Sequence, residues 1–509
     1  MSIRSPKNWL VLLLVTLSAP LARAGDINWS GLYRFEGIST QNLELGGAQQ
    51  SSTYGLTHLI LRPSIVAADG LVIHSRFDIF NSPAYPNSQV GQVLGAGPRG
   101  PTGFSNTQTS SARDSNVMSN VESSDTIAVN ELYLTWSSEF GSLIVGRVPL
   151  QFGLGMSYSA GNGDFDHWFD NRDMVGYKMV FGNMYVLPMY GLMEKGMQNG
   201  LQSGTYDYNT GGDLANSDDV TDYMVQFGYD NAESGINLGV FFLTRVASGN
   251  ATDTPTGPNT NGEIGGPYGS NNADAEYKNT QWNVFFAREF SEFKFGIEAG
   301  FENGTLGVKT ANTPGASVVG LSAFGFATEF AYKPTSSKNT WSLKTGVASG
   351  DQAGTDDRFE GFYFNRNYDV ADLMFNRVLG ADDFLRTQPL RGDYYTNGRT
   401  LTGSQVVDVE TLSNAFYISP SFAHKYSDSF AMDTRLTYAL LHSGPFKDTD
   451  IAKDLGYELD IAGTYKPYDR LTWRSGLSFL LPGQAFVGGD RNYDHNFAWG
   501  MYTKAAIRF

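Results

Sequence analysis

The chain has 509 residues, with 58 glycines, 34 phenylalanines, 27 tyrosines and no cysteine. It carries 36 basic against 52 acidic side chains, a formal charge of −16. These values exclude a disulfide framework and a thiolate metal site. They also argue against nucleic acid as a partner, because phosphate binding needs basic patches.

Residues 1–24 read as a secretory signal peptide. Arg4 and Lys7 give the positive start, Trp9 to Leu17 the apolar run, and Ala22-Arg23-Ala24 the small-x-small cleavage site. Loss of Arg4, Lys7 and Arg23 with this leader takes the charge from −16 to −19. No later stretch reaches the ~18 consecutive apolar residues expected of a spanning helix, which excludes a helical membrane protein.

From there the pattern has period two. Alternating segments are predicted at about 26–37, 54–66, 70–80, 126–137, 141–148, 173–181, 184–193, 222–230, 235–246, 277–289, 293–305, 320–332, 340–348, 413–426, 430–441, 455–466, 470–481 and 496–509. Phe293, Phe295, Ile297, Ala299 and Phe301, for instance, oppose Lys294, Gly296, Glu298, Gly300 and Glu302. Two segments read less cleanly: 141–148 leaves its outward face open, since Arg147 lies in phase with Leu143 and Val145, and 54–66 places His58 and Arg62 inward only if Pro63 faces out near a strand end. An apolar outside and a polar inside repeated in this way is the pattern of a transmembrane β-barrel. The fold class is therefore all-β, an antiparallel barrel of eighteen strands forming one domain over 25–509. Short turns alternate with long loops, as periplasmic turns and extracellular loops do, and 81–125 and 349–412 are the longest. Trp29, Tyr33, Phe35, Trp136, Tyr332, Trp341, Tyr465, Trp473 and Trp499 fall near segment ends, where interfacial girdles belong.

The inward phase supplies candidate pore-lining charges: Arg34, Glu36, Arg62, His74, Arg76, Asp78, Lys178, Lys294, Glu298, Lys344, Asp433, Arg435, Glu458, Asp460, Arg474 and Lys504. Rings of charge set ionic selectivity. The same charges would serve equally to rigidify the lumen as ion-pair networks. Both signs are present, so no ionic preference follows. The 349–412 loop mixes Asp351, Asp357, Arg358, Arg366, Arg377 and Arg386 with Phe359, Phe362, Tyr363, Phe364 and Tyr368. That composition suits an inward-folded constriction, and equally an ordered surface loop. Asp164, Asp166, His167, Asp170 and Asp173 form an oxygen-rich stretch of the kind that binds Ca²⁺. No Glu closes a twelve-residue loop there, so a solvated acidic loop is expected and no metal or other cofactor is assigned. The six histidines, His58, His74, His167, His424, His442 and His495, sit in no nucleophile, phosphate-loop or zinc-protease motif, and no catalytic residue is expected.

Two segments resemble the alginate-export-like porins of bacterial outer membranes. One is Trp341 to Phe364, where Val347-Ala348-Ser349-Gly350-Asp351 precedes Asp356-Asp357-Arg358-Phe359; the other is Glu131-Leu132-Tyr133-Leu134 followed by Leu143-Ile144-Val145-Gly146-Arg147. The run Asn365-Arg366-Asn367-Tyr368-Asp369 is similar to porin-like proteins of predatory deltaproteobacteria, some of which form rings around lipid. The terminal Phe509 resembles the signature by which the barrel-assembly machinery recognises its clients. The likeness implies a Gram-negative outer-membrane channel for passive diffusion of small polar solutes, assembled as a trimer or larger ring. It lacks the dense arginine lining of a polyuronate conduit. The alternative it implies is a structural, oligomeric barrel with a plugged lumen that organises lipid.

Overall fold

The computed structural model describes residues 26–43, 45, 51–81, 89–94, 127–194, 220–247, 277–309, 317–352, 355, 357–377, 379, 411–444, 452–487 and 496–509. The signal-peptide segment lies outside these residues. Of 22 β-segments, three are only two or three residues long: Asp26–Asn28, Gln92–Val93 and Arg358–Phe359. Ser64–Ala68 continues Ser51–Leu61 beyond a break at Arg62-Pro63, where the prolyl nitrogen has no hydrogen to donate. What remains is eighteen antiparallel strands of a transmembrane barrel, and each predicted segment corresponds to one of them. Eight connections of two to six residues alternate with nine longer ones.

The barrel closes where strand Gly31–Gln41 pairs with strand Ala498–Arg508, from Leu32↔Arg508 to Gln41↔Trp499. Gly31 and Phe509 exchange backbone hydrogen bonds of 2.9 and 3.1 Å. A side chain at Gly31 would collide with the Phe509 ring, so the terminal residue is seated by a glycine opposite it. Closure is required, since an open edge would leave a row of N–H and C=O groups in hydrocarbon. One patch of wall is irregular. Strand Leu71–Ile79 reaches Ser51–Leu61 only at Leu59, Ile60 and Leu61, and Gln92–Val93 fills in beside Leu56 and Thr57.

The outward phase is apolar and exposed, as at Phe301, Phe324, Phe326, Phe330, Leu436, Leu459 and Leu477. Trp29, Trp136, Phe140, Phe181, Trp341, Tyr426 and Tyr468 crowd the periplasmic ends as an exposed girdle. Arg147 settles the open phase of its strand: it points outward and pairs bidentately with Asp173 at 2.7 and 2.8 Å. The pair stands near the extracellular rim, where outward charge is tolerated.

Leu436 lies midway along strand Phe430–Leu441 and is 46% exposed on the outer wall. Leu436→Arg is expected to destabilise the folded barrel by about 2–4 kcal/mol. Denaturant titration in lipid vesicles measures this, and an effect no larger than that of Leu436→Ala would contradict lipid contact at this height.

Candidate functional site

Two of the long connections fold into the lumen and form a pair of tongues. The first runs from Leu150 to Asp170, between strands Gly141–Pro149 and Asn171–Phe181. Its turn is hung from one wall side chain. Glu298, fully buried, accepts hydrogen bonds from the backbone N–H of Leu154 (2.7 Å), Met156 (3.2 Å) and Ser157 (3.1 Å). Gly153, with φ +51°, permits this approach, because a Cβ there would strike the Glu298 carboxylate. The second tongue descends from strand Asn339–Ala348 and includes Phe362 to Leu379. Glu458, also fully buried, accepts from the N–H of Asp372 (2.7 Å), Leu373 (2.7 Å) and Met374 (2.6 Å). Each carboxylate thus satisfies three loop donors that would otherwise be buried without partners, and charge-assisted bonds of this type are the stronger ones.

Packing completes the seating. Phe362, Phe364, Val370, Leu373, Met374 and Phe375 form one apolar cluster with Ala323, Ala327, Ala348, Ala415 and Ala439 of the inner wall. Strand glycines serve as sockets: Gly325 and Gly300 receive Phe362, Gly500 receives Leu373 and Gly296 receives Leu154. The tongues are also stitched to each other. The Asn365 side chain donates to Asp170 Oδ2 at 2.7 Å, and its backbone N–H donates to Met156 O at 2.6 Å. Asn367 Oδ1 accepts from the N–H of His167 and Trp168, its Nδ2 donates to Trp168 O, and the Arg366 guanidinium stacks 4.1 Å over the Trp168 ring. The short segment around Gln89 joins them, donating its N–H to His167 O and its side-chain amide to Gly161 O.

Several expected pore-lining residues are covered rather than open. Arg34, Arg76, Asp78, Glu298 and Glu458 occupy the inward phase but are 1% exposed or less, because the tongues and the Gln89 segment lie on them. Arg34 pairs with Glu36 at 2.8 Å and donates to Asp166 O and Gln89 O. Arg76 forks onto Asp78 at 2.9 and 3.0 Å and donates to Gln89 Oε1. Asp460 is 4% exposed and held by Arg435 at 2.9 Å. Partly open charges remain. Arg435 also reaches Asp372 at 2.7 Å, Arg474 forks onto Asp433 at 2.6 and 2.8 Å, and Lys344 pairs with Glu329 at 2.9 Å. Lys294 stands exposed near the periplasmic rim, 2.5 Å from Glu289.

Of the six expected constriction-loop charges, Arg366 and Arg377 border open space in the lumen. Asp351 is buried and accepts from the Glu360 N–H, Arg358 is exposed and pairs with Glu360 at 3.0 Å, and Asp357 is exposed beside it. These three sit where Arg358–Phe359 bridges Gly320 and Leu321, at the extracellular end of strand Val318–Tyr332, too high to line a constriction. Arg386 lies outside the described residues, as do most of loop 81–125 and His495.

The expected solvated acidic loop is instead part of the first tongue, and its carboxylates go to separate partners. Asp164 binds Arg508 (2.6 Å), Asp166 accepts from Gly163 N–H (2.7 Å), Asp170 accepts from Ser159 N–H (2.8 Å) and Asp173 holds Arg147. Among the described residues no group of three His, Asp or Glu side chains could hold a metal ion. Sequence reasoning missed this tongue and, with it, the buried Arg172–Asp222–Arg245 triad (3.1 and 2.8 Å) on the wall beside it. The available signal was the recurrence of Gly153, Gly155, Gly161 and Gly163 among Phe152, Leu154, Met156 and Tyr158.

The tongues leave an unfilled cavity against the closure seam. Ile38, Thr40, Ser478, Gly500, Tyr502 and Lys504 line the wall side, and Phe165, Trp168, Arg366, Asp369, Asp372, Asn376 and Arg377 the tongue side. The Asp369 side chain is exposed to this cavity, yet the barrel encloses it. The resulting desolvation pushes its carboxyl up to about 6, against the pull of Lys504 and Arg435. Desolvation would raise Asp372 too, but Arg435, Lys504 and Arg474 hold its carboxyl below the usual range. Burial lowers His167 below the ordinary imidazole range despite its 2.7 Å contact with Glu36.

No family model matches the chain, and no curated protein matches it. The likeness to alginate-export-like porins therefore rests on its two short segments. Solved structures similar to this one include OccK9 (OpdG) of Pseudomonas aeruginosa, at 10% identity and TM-score 0.48, covering 95% of this chain and 99% of that one. A BenF-like porin from Pseudomonas fluorescens Pf-5 is similar at 9% identity and TM-score 0.46, covering 95% and 98%. An anion-selective porin from Comamonas acidovorans is similar at 10% identity and TM-score 0.42, covering 95% and 100%. At these values the function of the chain has to be argued from its own geometry.

The clasp on the second tongue gives a direct test. Glu458→Ala removes the acceptor for three buried N–H groups and is expected to destabilise the barrel by about 3 kcal/mol or more. It is also expected to raise the open-state current, as the tongue swings from the wall. Denaturation and single-channel recording of the same preparation check both effects.

Proposed function

We propose that this chain is an outer-membrane channel for the passive diffusion of small polar or charged solutes, with its passage narrowed by the two tongues and running along the closure seam. One observation carries this reading: the cavity between seam and tongues is bordered by Lys504, Arg366, Arg377, Asp369 and Asp372 within a closed barrel. The wall removes the dielectric barrier of the bilayer, and charges at the narrowing discriminate among solutes. Export through the cleaved leader and assembly through Phe509 belong to the same proposal. So does association into a trimer or larger ring.

A second reading is favoured by the apolar cluster that ties the second tongue to the inner wall. A lumen filled in that way suits a structural barrel that organises lipid without conducting. Planar-bilayer recording separates the two readings. Discrete ohmic steps from the purified chain support the channel, whereas a silent bilayer together with ring-shaped particles supports the structural role.

The channel reading also gives a pH dependence. Asp369 carries its negative charge above about pH 6 and takes up a proton below it, so acidification adds one positive charge to the passage. Reversal potentials in a KCl gradient are expected to move toward anion selectivity between pH 7.5 and pH 5, which are about 1.5 units above and 1 unit below that value. In Asp369→Asn this step should be absent. An unchanged step in the variant would place the titrating group elsewhere.

A further inference from the structure

The cavity on the seam is bordered by two opposite charges: Asp369, and Lys504 with one ion pair among the described residues, to Glu36 at 3.5 Å. Asp369 has its carboxylate exposed to the cavity, and no hydrogen bond or ion pair reaches that carboxylate among the described residues; only its backbone carbonyl is used, accepting from Lys344 at 3.3 Å. Every other carboxylate bordering the space is engaged: Asp372 by Arg435 and Ser478, and Asp166 by the Gly163 N–H. Lys504 is the positive counterpart. Its nearest carboxylate oxygen, on Glu36, lies 3.5 Å away, and Glu36 already holds Arg34 at 2.8 Å and His167 at 2.7 Å. The Lys504 ammonium also stands near the rings of Tyr502 and Phe165, at 5.1 and 5.9 Å, and borders the cavity.

Resting on the channel reading, we propose that this cavity is a subsite for small zwitterions, solutes of amino-acid or dipeptide chemistry carrying an ammonium and a carboxylate at opposite ends. Asp369 receives the ammonium and Lys504 the carboxylate. A purely anionic solute leaves Asp369 unpaired in an enclosed space, where an unmatched charge is penalised, and a purely cationic one forgoes the contact with Lys504. Uncharged solutes engage neither. The raised carboxyl of Asp369 fits this role, since pairing with an ammonium would relieve the desolvation that raises it.

Equilibrium binding to the full chain in detergent micelles tests the proposal without requiring conduction, with tryptophan fluorescence as the readout because Trp168 borders the cavity. The probes are diglycine, N-acetylglycine (carboxylate only) and glycinamide (ammonium only). Diglycine is expected to bind about tenfold more tightly than either half-charged relative. Asp369→Asn should weaken diglycine and glycinamide about tenfold while sparing N-acetylglycine, and Lys504→Gln should do the reverse for the two half-charged probes. Equal affinity for all three probes, or diglycine binding unchanged by Asp369→Asn, would overturn the subsite. Selective diglycine binding by a chain that passes no current would uphold the subsite and remove the channel.

Discussion

Neither side of this barrel offers bulk water to the backbone for long. Outside is hydrocarbon, and inside are two folded tongues, so every amide must find a partner within the protein. That constraint explains the closure of Gly31–Gln41 on Ala498–Arg508 and the pairing of Gly31 with Phe509 at the seam. It also explains the clasps. A tongue laid inside a barrel has no ladder to join, and its turn would leave adjacent N–H groups stranded. Glu298 and Glu458 each meet three such donors from the wall, so a single inward carboxylate replaces the strand neighbour the tongue lacks.

Shape follows from the same arrangement. A tongue can approach the wall closely only where the wall has no side chain, which gives inward glycines and alanines a purpose that sheet propensity alone would not assign. Gly325 and Gly300 make room for Phe362, Gly500 for Leu373 and Gly296 for Leu154. Apolar tongue residues then fill these sockets, and burial stabilises the tongue at roughly 1.5–3 kcal/mol for each large side chain fully covered. The tongues are therefore packed elements, coupled through Asn365, Asn367 and the Arg366–Trp168 stack.

The strands were legible from sequence because period-two alternation is imposed by lipid on one side at every position. Phe293 to Phe301 and Phe430 to Leu440 show it without interruption. The descent of residues 362–377 from the 349–412 loop was legible as one of two alternatives, from the loop's length and its mixture of aromatics with charge. The first tongue was not. At 21 residues between strands it is short enough to pass for a surface loop, and its acidic stretch imitates a cation site. Its destination is encoded in pairs of distant residues, such as Gly153 with Glu298 and Asp164 with Arg508, and a single sequence displays no such pairing. Arg34 and Arg76 illustrate the same limit. Their inward phase is readable, whereas their burial depends on Gln89 and Asp166 arriving from other loops.

Burial divides the inward charges into two classes with different work. Arg34, Glu36, Arg76, Asp78, Glu298 and Glu458 are sealed, and each has partners among strands or tongues. Removing one partner of a sealed pair strands the other, so these positions are constrained by stability whatever passes through the barrel. Arg366, Asp369, Arg377 and Lys504 border the open cavity, where a charge bears directly on what enters. An abundance of inward charge is therefore a poor guide to selectivity in this chain. Most of it keeps the tongues in place, and the tongues in turn decide which few charges a solute meets.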